Sequence, residues 1–202
     1  MEILRECSRQ DLLEFYLSRE REKGTHVSLE GIDINDPNAI DRHFALHGLK
    51  IGVIPGYKSW RYVKLSKEEL LQCAIVNHIF RGSRLFPVLK EFYEWEPKTR
   101  DGKPKSTAWY EYIERMEDPT SYPEKWALIL RPALPSEDGA KWYIEDGSGR
   151  SICFLRRLLT LRKDGFVYAY IGIESDQKSE WIHREMPMLF PLSVPAIHLL
   201  DL

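Results

Sequence analysis

Apolar residues recur at helical spacing over Leu12, Leu13, Tyr16 and Leu17, behind a Ser8…Asp11 pair that matches the reciprocal pattern of a helix start, and Gly24 supplies a stop. The chain is therefore predicted to open with a helix. A second is predicted from Asp36-Pro37, a cap followed by proline at the first helical position, through Ile40, Phe44 and Leu46 to Gly48. The run L-K-I-G-V-I from Leu49 to Ile54, closed by Pro55-Gly56, and the alternation from Trp60 to Leu65 predict two strands that suit a hairpin. Ser66 with Glu69 forms a second capping box, opening a predicted helix that buries Leu70, Leu71, Ala74, Ile75 and Ile79.

After Arg81-Gly82-Ser83 the pattern is helix-prone and aromatic to Trp95. A charged loop follows from Glu96 to Ser106, then a short helix from Thr107 to Met116 and a turn from Asp118 to Pro123. W-A-L-I-L-R (Trp126 to Arg131) and W-Y-I (Trp142 to Ile144) predict strands on either side of a polar turn. Ile152, Leu155, Leu158 and Leu159 then share one helical face, and Phe166 to Ile173 predicts a late strand. Three prolines among apolar residues at the end favour an extended tail. These elements predict one α+β domain, a mixed β-sheet with flanking helices. Residues 1–48 form a helical extension, 49–173 a core interrupted by a helical insertion at 82–125, and 174–202 a tail.

Length and composition change little. A chain of 202 residues suits one well-buried core, and 43% hydrophobic with 30% charged residues describes a globular protein. With 29 basic against 31 acidic residues and a net charge of -2, no whole-protein field favours nucleic acid. Cys7, Cys73 and Cys153 are scattered and odd in number, which speaks against a disulfide framework or a zinc site. A start without a basic, apolar leader, and the lack of any long apolar run, predict a cytoplasmic protein without membrane association. His43 and His47, four apart, share a helical face, but Phe44 stands where a zincin has glutamate and no third ligand is near, so no metal is predicted.

The most informative stretch is Lys141 to Leu159, K-W-Y-I-E-D-G-S-G-R-S-I-C-F-L-R-R-L-L. Read as strand, glycine turn and helix, it can hold an anion: glycine lets the backbone approach closely, the first N–H groups of a helix point outward, and Arg150 adds a forked cation. Gly147, Ser148, Gly149, Arg150 and Ser151 are the candidate phosphate-binding residues, and Asp146 a candidate catalytic group that orients a metal-bound phosphate or acts as a base. Asp-Gly between apolar runs is equally a hairpin signal, and a structural turn with a solvated arginine is the plain alternative.

The strand W-A-L-I-L-R, the polar turn, W-Y-I-E-D-G-S-G-R-S and the leucine-rich helix together resemble the nucleotide-binding core of the ParB and sulfiredoxin superfamily, over about residues 126–161. Gly147 and Arg150 match its G-x-x-R, and Asp146 the acidic residue of its D-G-x-x-R branch. The resemblance implies a nucleotide, ATP or CTP with Mg2+, or another phosphorylated ligand, and phosphoryl-transfer or nuclease-like activity. It also puts Tyr62 to Leu71 where the family has its first core strand and helix, making Lys67 a second phosphate contact. Departures narrow this. Ser148 stands in place of the sulfiredoxin cysteine, Gly149 in place of the usual histidine, and no helix-turn-helix pattern follows, so neither thiol repair nor specific DNA binding is expected. The rival expectation is a non-enzymatic module whose aromatics and proline-bearing tail serve a protein partner.

Overall fold

In a computed structural model the described residues are 1–22, 24–49, 51, 54–75, 124–133, 140–147, 150, 151, 154 and 165–175. The predicted 82–125 insertion, apart from its last two residues, and nearly all of the predicted tail lie outside them.

Six strands form one mixed sheet. In chain order the elements are β1 (Glu2–Ser8), α1 (Arg9–Glu22), α2 (Pro37–Leu46), β2 (Tyr57–Ser66), α3 (Lys67–Leu70), β3 (Cys73–Ile75), β4 (Leu128–Pro132), β5 (Trp142–Asp146) and β6 (Phe166–Ser175). The strand order is β1-β2-β6-β4-β5-β3. β1 and β2, β2 and β6, and β4 and β5 run antiparallel, while β4 with β6 and β3 with β5 run parallel. The α+β expectation holds.

Period-two alternation divides the core between the two faces of this sheet. Trp60, Tyr62, Ile129 and Tyr170 meet Leu12, Leu13, Tyr16 and Leu17 of α1 and Ile40 and Phe44 of α2. Val63, Leu65, Leu128, Leu130, Ile144, Val167, Ala169 and Ile171 pack on the other face with Leu70 and Phe154. Burying each Val, Leu, Ile or Phe side chain among them contributes about 1.5–3 kcal/mol.

Both predicted N-terminal helices form as their caps direct. Asp11 Oδ2 accepts from the Ser8 N–H and the Ser8 hydroxyl, both at 2.7 Å, and the Asp11 N–H returns to Ser8 Oγ at 3.2 Å. Asp36 Oδ1 accepts from the Asn38 N–H at 2.9 Å. Three expectations need correction. The chain opens with an edge strand, because β1 finds its partner in β2, some fifty residues away, and local periodicity carries no trace of that. The run from Leu49 builds no hairpin with β2: Leu49 and Ile51 are non-strand, and Ile54–Gly56 is a 3-10 turn. The Ser66/Glu69 capping box forms, yet α3 lasts only one turn before β3 takes Cys73 to Ile75 into parallel pairing with Trp142 to Ile144. Tertiary pairing there overrides local helix preference.

Candidate functional site

β5 carries the site because its ladder with β4 is irregular. Leu130 pairs with Ile144 and Ile129 with Asp146, so Glu145 and Asp146 together oppose one residue. Such a bulge redirects side chains. Neighbours on an uninterrupted strand point to opposite faces. Here Glu145 Oε1 accepts from Arg131 Nε at 2.6 Å, while Asp146 turns toward α1 and receives Arg19. Arg131, 5% exposed, also lies over the Tyr143 ring, 3.9 Å from its centroid.

At Asp146 two guanidiniums meet one oxygen. Arg19 Nη1 and Arg150 Nη2 both donate to Oδ2, the latter at 2.7 Å. The arginine side chains are 13% and 11% exposed and the carboxylate 37%. Burial by itself would raise the Asp146 pKa, but the two cations outweigh it and hold the carboxyl below the ordinary aspartate value. Nearby, burial together with Glu20 and Asp146 pushes the Tyr16 hydroxyl up to about 12.

The chain passes from β5 into helical turns, not into a hairpin: Arg150, Ser151 and Phe154 are helical, and the Ser151 N–H donates to the Gly147 carbonyl at 2.9 Å. Gly147 makes the corner possible with φ +98°. A Cβ there would lie 2.5 Å from Leu128 Cδ2 and 2.8 Å from Arg150 Nη2. Arg150 folds back through that space to reach Asp146.

The corner thus joins Asp146, Gly147 and Arg150, with Ser151 fully buried behind them. Ser148 and Gly149 lie outside the described residues. Lys67 sits in the first turn of α3 with its ammonium 3.7 Å from Glu68 Oε1, and it takes no part in the contacts at Asp146. His43 and His47 place their ring centroids 4.8 Å apart, but His43 Nε2 is 2.9 Å from the Ser28 carbonyl oxygen. Among the described residues no three His, Cys, Asp or Glu side chains gather where a metal ion could be held.

Arg19 is the residue that sequence reasoning missed. Its signal was there: it stands seven residues after Leu12 and three after Tyr16, at the edge of the apolar stripe of α1, where a half-buried cation needs a partner. An open recess of about 600 Å3, bordered by Glu14, Leu17, Arg21, His26 and Glu30, lies elsewhere. Residues 14, 17 and 21 project from the side of α1 opposite Arg19, so this hollow does not belong to the Asp146 corner.

No family model, curated protein or solved structure matches this chain.

Proposed function

We propose that the chain binds a phosphate-bearing ligand, a nucleotide in the first instance, at the corner from Asp146 to Ser151. The observation carrying this reading is the convergence of two largely buried guanidiniums on a single carboxylate oxygen, beside a glycine whose missing side chain leaves the room through which Arg150 reaches it. Arginine forks match phosphate oxygens in pairs, and water exclusion around them strengthens each contact. The D-G-S-G-R string and its likeness to the ParB and sulfiredoxin superfamily support nucleotide as the ligand class. Magnesium would enter on the nucleotide's own phosphates.

Binding is better supported than turnover. A general base works best with a pKa near the working pH, whereas Asp146 is held low by two arginines. Nucleotide-dependent thermal shifts test the reading. ATP, CTP or GTP, with and without magnesium, should raise the wild-type melting temperature, and the shift should vanish in Arg150→Ala. Equal shifts in both proteins, or none in either, would refute it.

A second reading, a non-enzymatic interaction module, draws on β1. This strand lies at the sheet edge, and Ile3 (48%) and Leu4 (37%) are exposed along it. An edge of unpaired N–H and C=O groups can accept another chain's strand. That reading predicts no nucleotide shift, and an association that Ile3→Lys weakens.

A further inference from the structure

We propose that Asp146 is an internal competitor for the anion site, and that the ligand exchanging with it is a dianionic terminal phosphate in preference to a monoanionic phosphodiester. This rests on the phosphate-binding reading above and specifies which phosphate the corner takes and what holds the corner closed without it.

Charge is the first argument. Arg19 and Arg150 contribute two positive charges at hydrogen-bond range, and Asp146 returns one negative charge. Around them stand Tyr16 and the buried Glu20 on α1, and the Glu145 and Arg131 pair on β5 and β4. Glu145 and Arg131 neutralise each other, and Tyr16 stays protonated at neutral pH. Among the three groups that share Oδ2 the sum is one positive charge, two guanidiniums against one carboxylate, with Glu20 a further acidic group on α1 outside that cluster. A monoester dianion matches two guanidiniums, whereas a diester, with one charge, gains nothing over the carboxylate already there.

Geometry is the second argument. Both arginines deliver one N–H each to the same oxygen, Oδ2, although each guanidinium has five N–H donors in a planar fork. Two forks crowded on one oxygen cannot both bind bidentately. The three terminal oxygens of a monoester phosphate give each fork its own pair of acceptors, with one oxygen shared. Asp146, being 37% exposed, can swing toward solvent as the phosphate enters, while Arg19 and Arg150 stay in place.

The experiment is an NMR titration of the full chain at pH 8 with two probes, methyl phosphate and dimethyl phosphate, on wild type, Asp146→Asn and Arg19→Ala. Wild type should bind methyl phosphate at least tenfold more tightly than dimethyl phosphate. Asp146→Asn should bind methyl phosphate about tenfold more tightly than wild type, as expected when a site filled nine-tenths of the time by an internal rival is set free. Arg19→Ala should lose most of the binding. If wild type binds methyl phosphate and a folded Asp146→Asn binds it no better, the competition is wrong while the phosphate site stands. Equal wild-type affinity for the two probes overturns the dianion preference and needs no variant at all. Failure of wild type and folded Asp146→Asn to bind either probe overturns the phosphate site itself.

Discussion

Replacing Gly147 with alanine tests the corner most directly, because the structure separates two costs. The first is torsional: an L-residue held at positive φ is strained by about 1–2 kcal/mol. The second is steric: the new methyl would sit 2.5 Å from Leu128 Cδ2 and 2.8 Å from Arg150 Nη2. Leu128 is fully buried and cannot retreat without disturbing the core, and overpacking of this kind costs about 1–3 kcal/mol. Together Gly147→Ala should lose about 2–5 kcal/mol, which a domain of ordinary stability survives. Gly24 is the internal control, since it has φ +90° but nothing within 4 Å of an added Cβ, so Gly24→Ala should show the torsional cost alone. Urea unfolding of both variants, with unchanged m values, measures the difference. Equal losses in the two would refute the claim that side-chain crowding at 147 shapes the corner.

Two further outcomes follow from single groups. The Asp146 pKa lies below its unfolded value, so its stabilising contribution is present above about pH 4, the ordinary aspartate range, and is lost as pH falls through the folded pKa. Asp146→Asn should flatten that part of the acid limb of a stability-versus-pH curve, and parallel curves would contradict the ion-pair assignment. The Tyr62 hydroxyl is buried without a partner among the described residues, and burial pushes its pKa well up. Removing it in Tyr62→Phe should leave stability unchanged or slightly raised, because no hydrogen bond is lost. A loss above about 1 kcal/mol in thermal unfolding would mean the hydroxyl is bonded.

What could be read from the sequence was whatever the chain settles locally. The caps at Ser8, Asp36 and Ser66 formed as expected because a side chain and the backbone three residues or fewer away decide them. Strands β2, β4, β5 and β6 were legible because each buries alternate residues on at least one face. The edge strand β1 was not: every residue but Cys7 is exposed, so no burial alternation marks it. β3 was hidden for a different reason. Its three residues follow a sound helix start, and only their pairing with β5 turns them into strand. The site followed the same rule. Asp146, Gly147 and Arg150 lie within five positions and could be found together, whereas Arg19 reaches them from 127 residues away.

The exposures of the three charged groups at the corner bear on why such an arrangement exists. An ion pair with a carboxylate 37% exposed is screened by water, and pairs of that kind add about 0–1 kcal/mol to folding. Holding guanidiniums at 13% and 11% exposure costs more, since each charge withdrawn from water carries a penalty of several kcal/mol before pairing. One half-exposed carboxylate is a weak return for two largely buried cations, so stability alone gives little reason to place both there. Under the proposed exchange a dianion would supply a second negative charge and more acceptor oxygens at once. On that reasoning ligand should stabilise the protein more than the single carboxylate does, and Arg19→Met, which keeps the apolar stem and removes the charge, should cost little stability in free protein while abolishing the phosphate-dependent rise in melting temperature. A large loss of stability in free Arg19→Met would instead make the cluster a structural clamp, with recognition no part of its role.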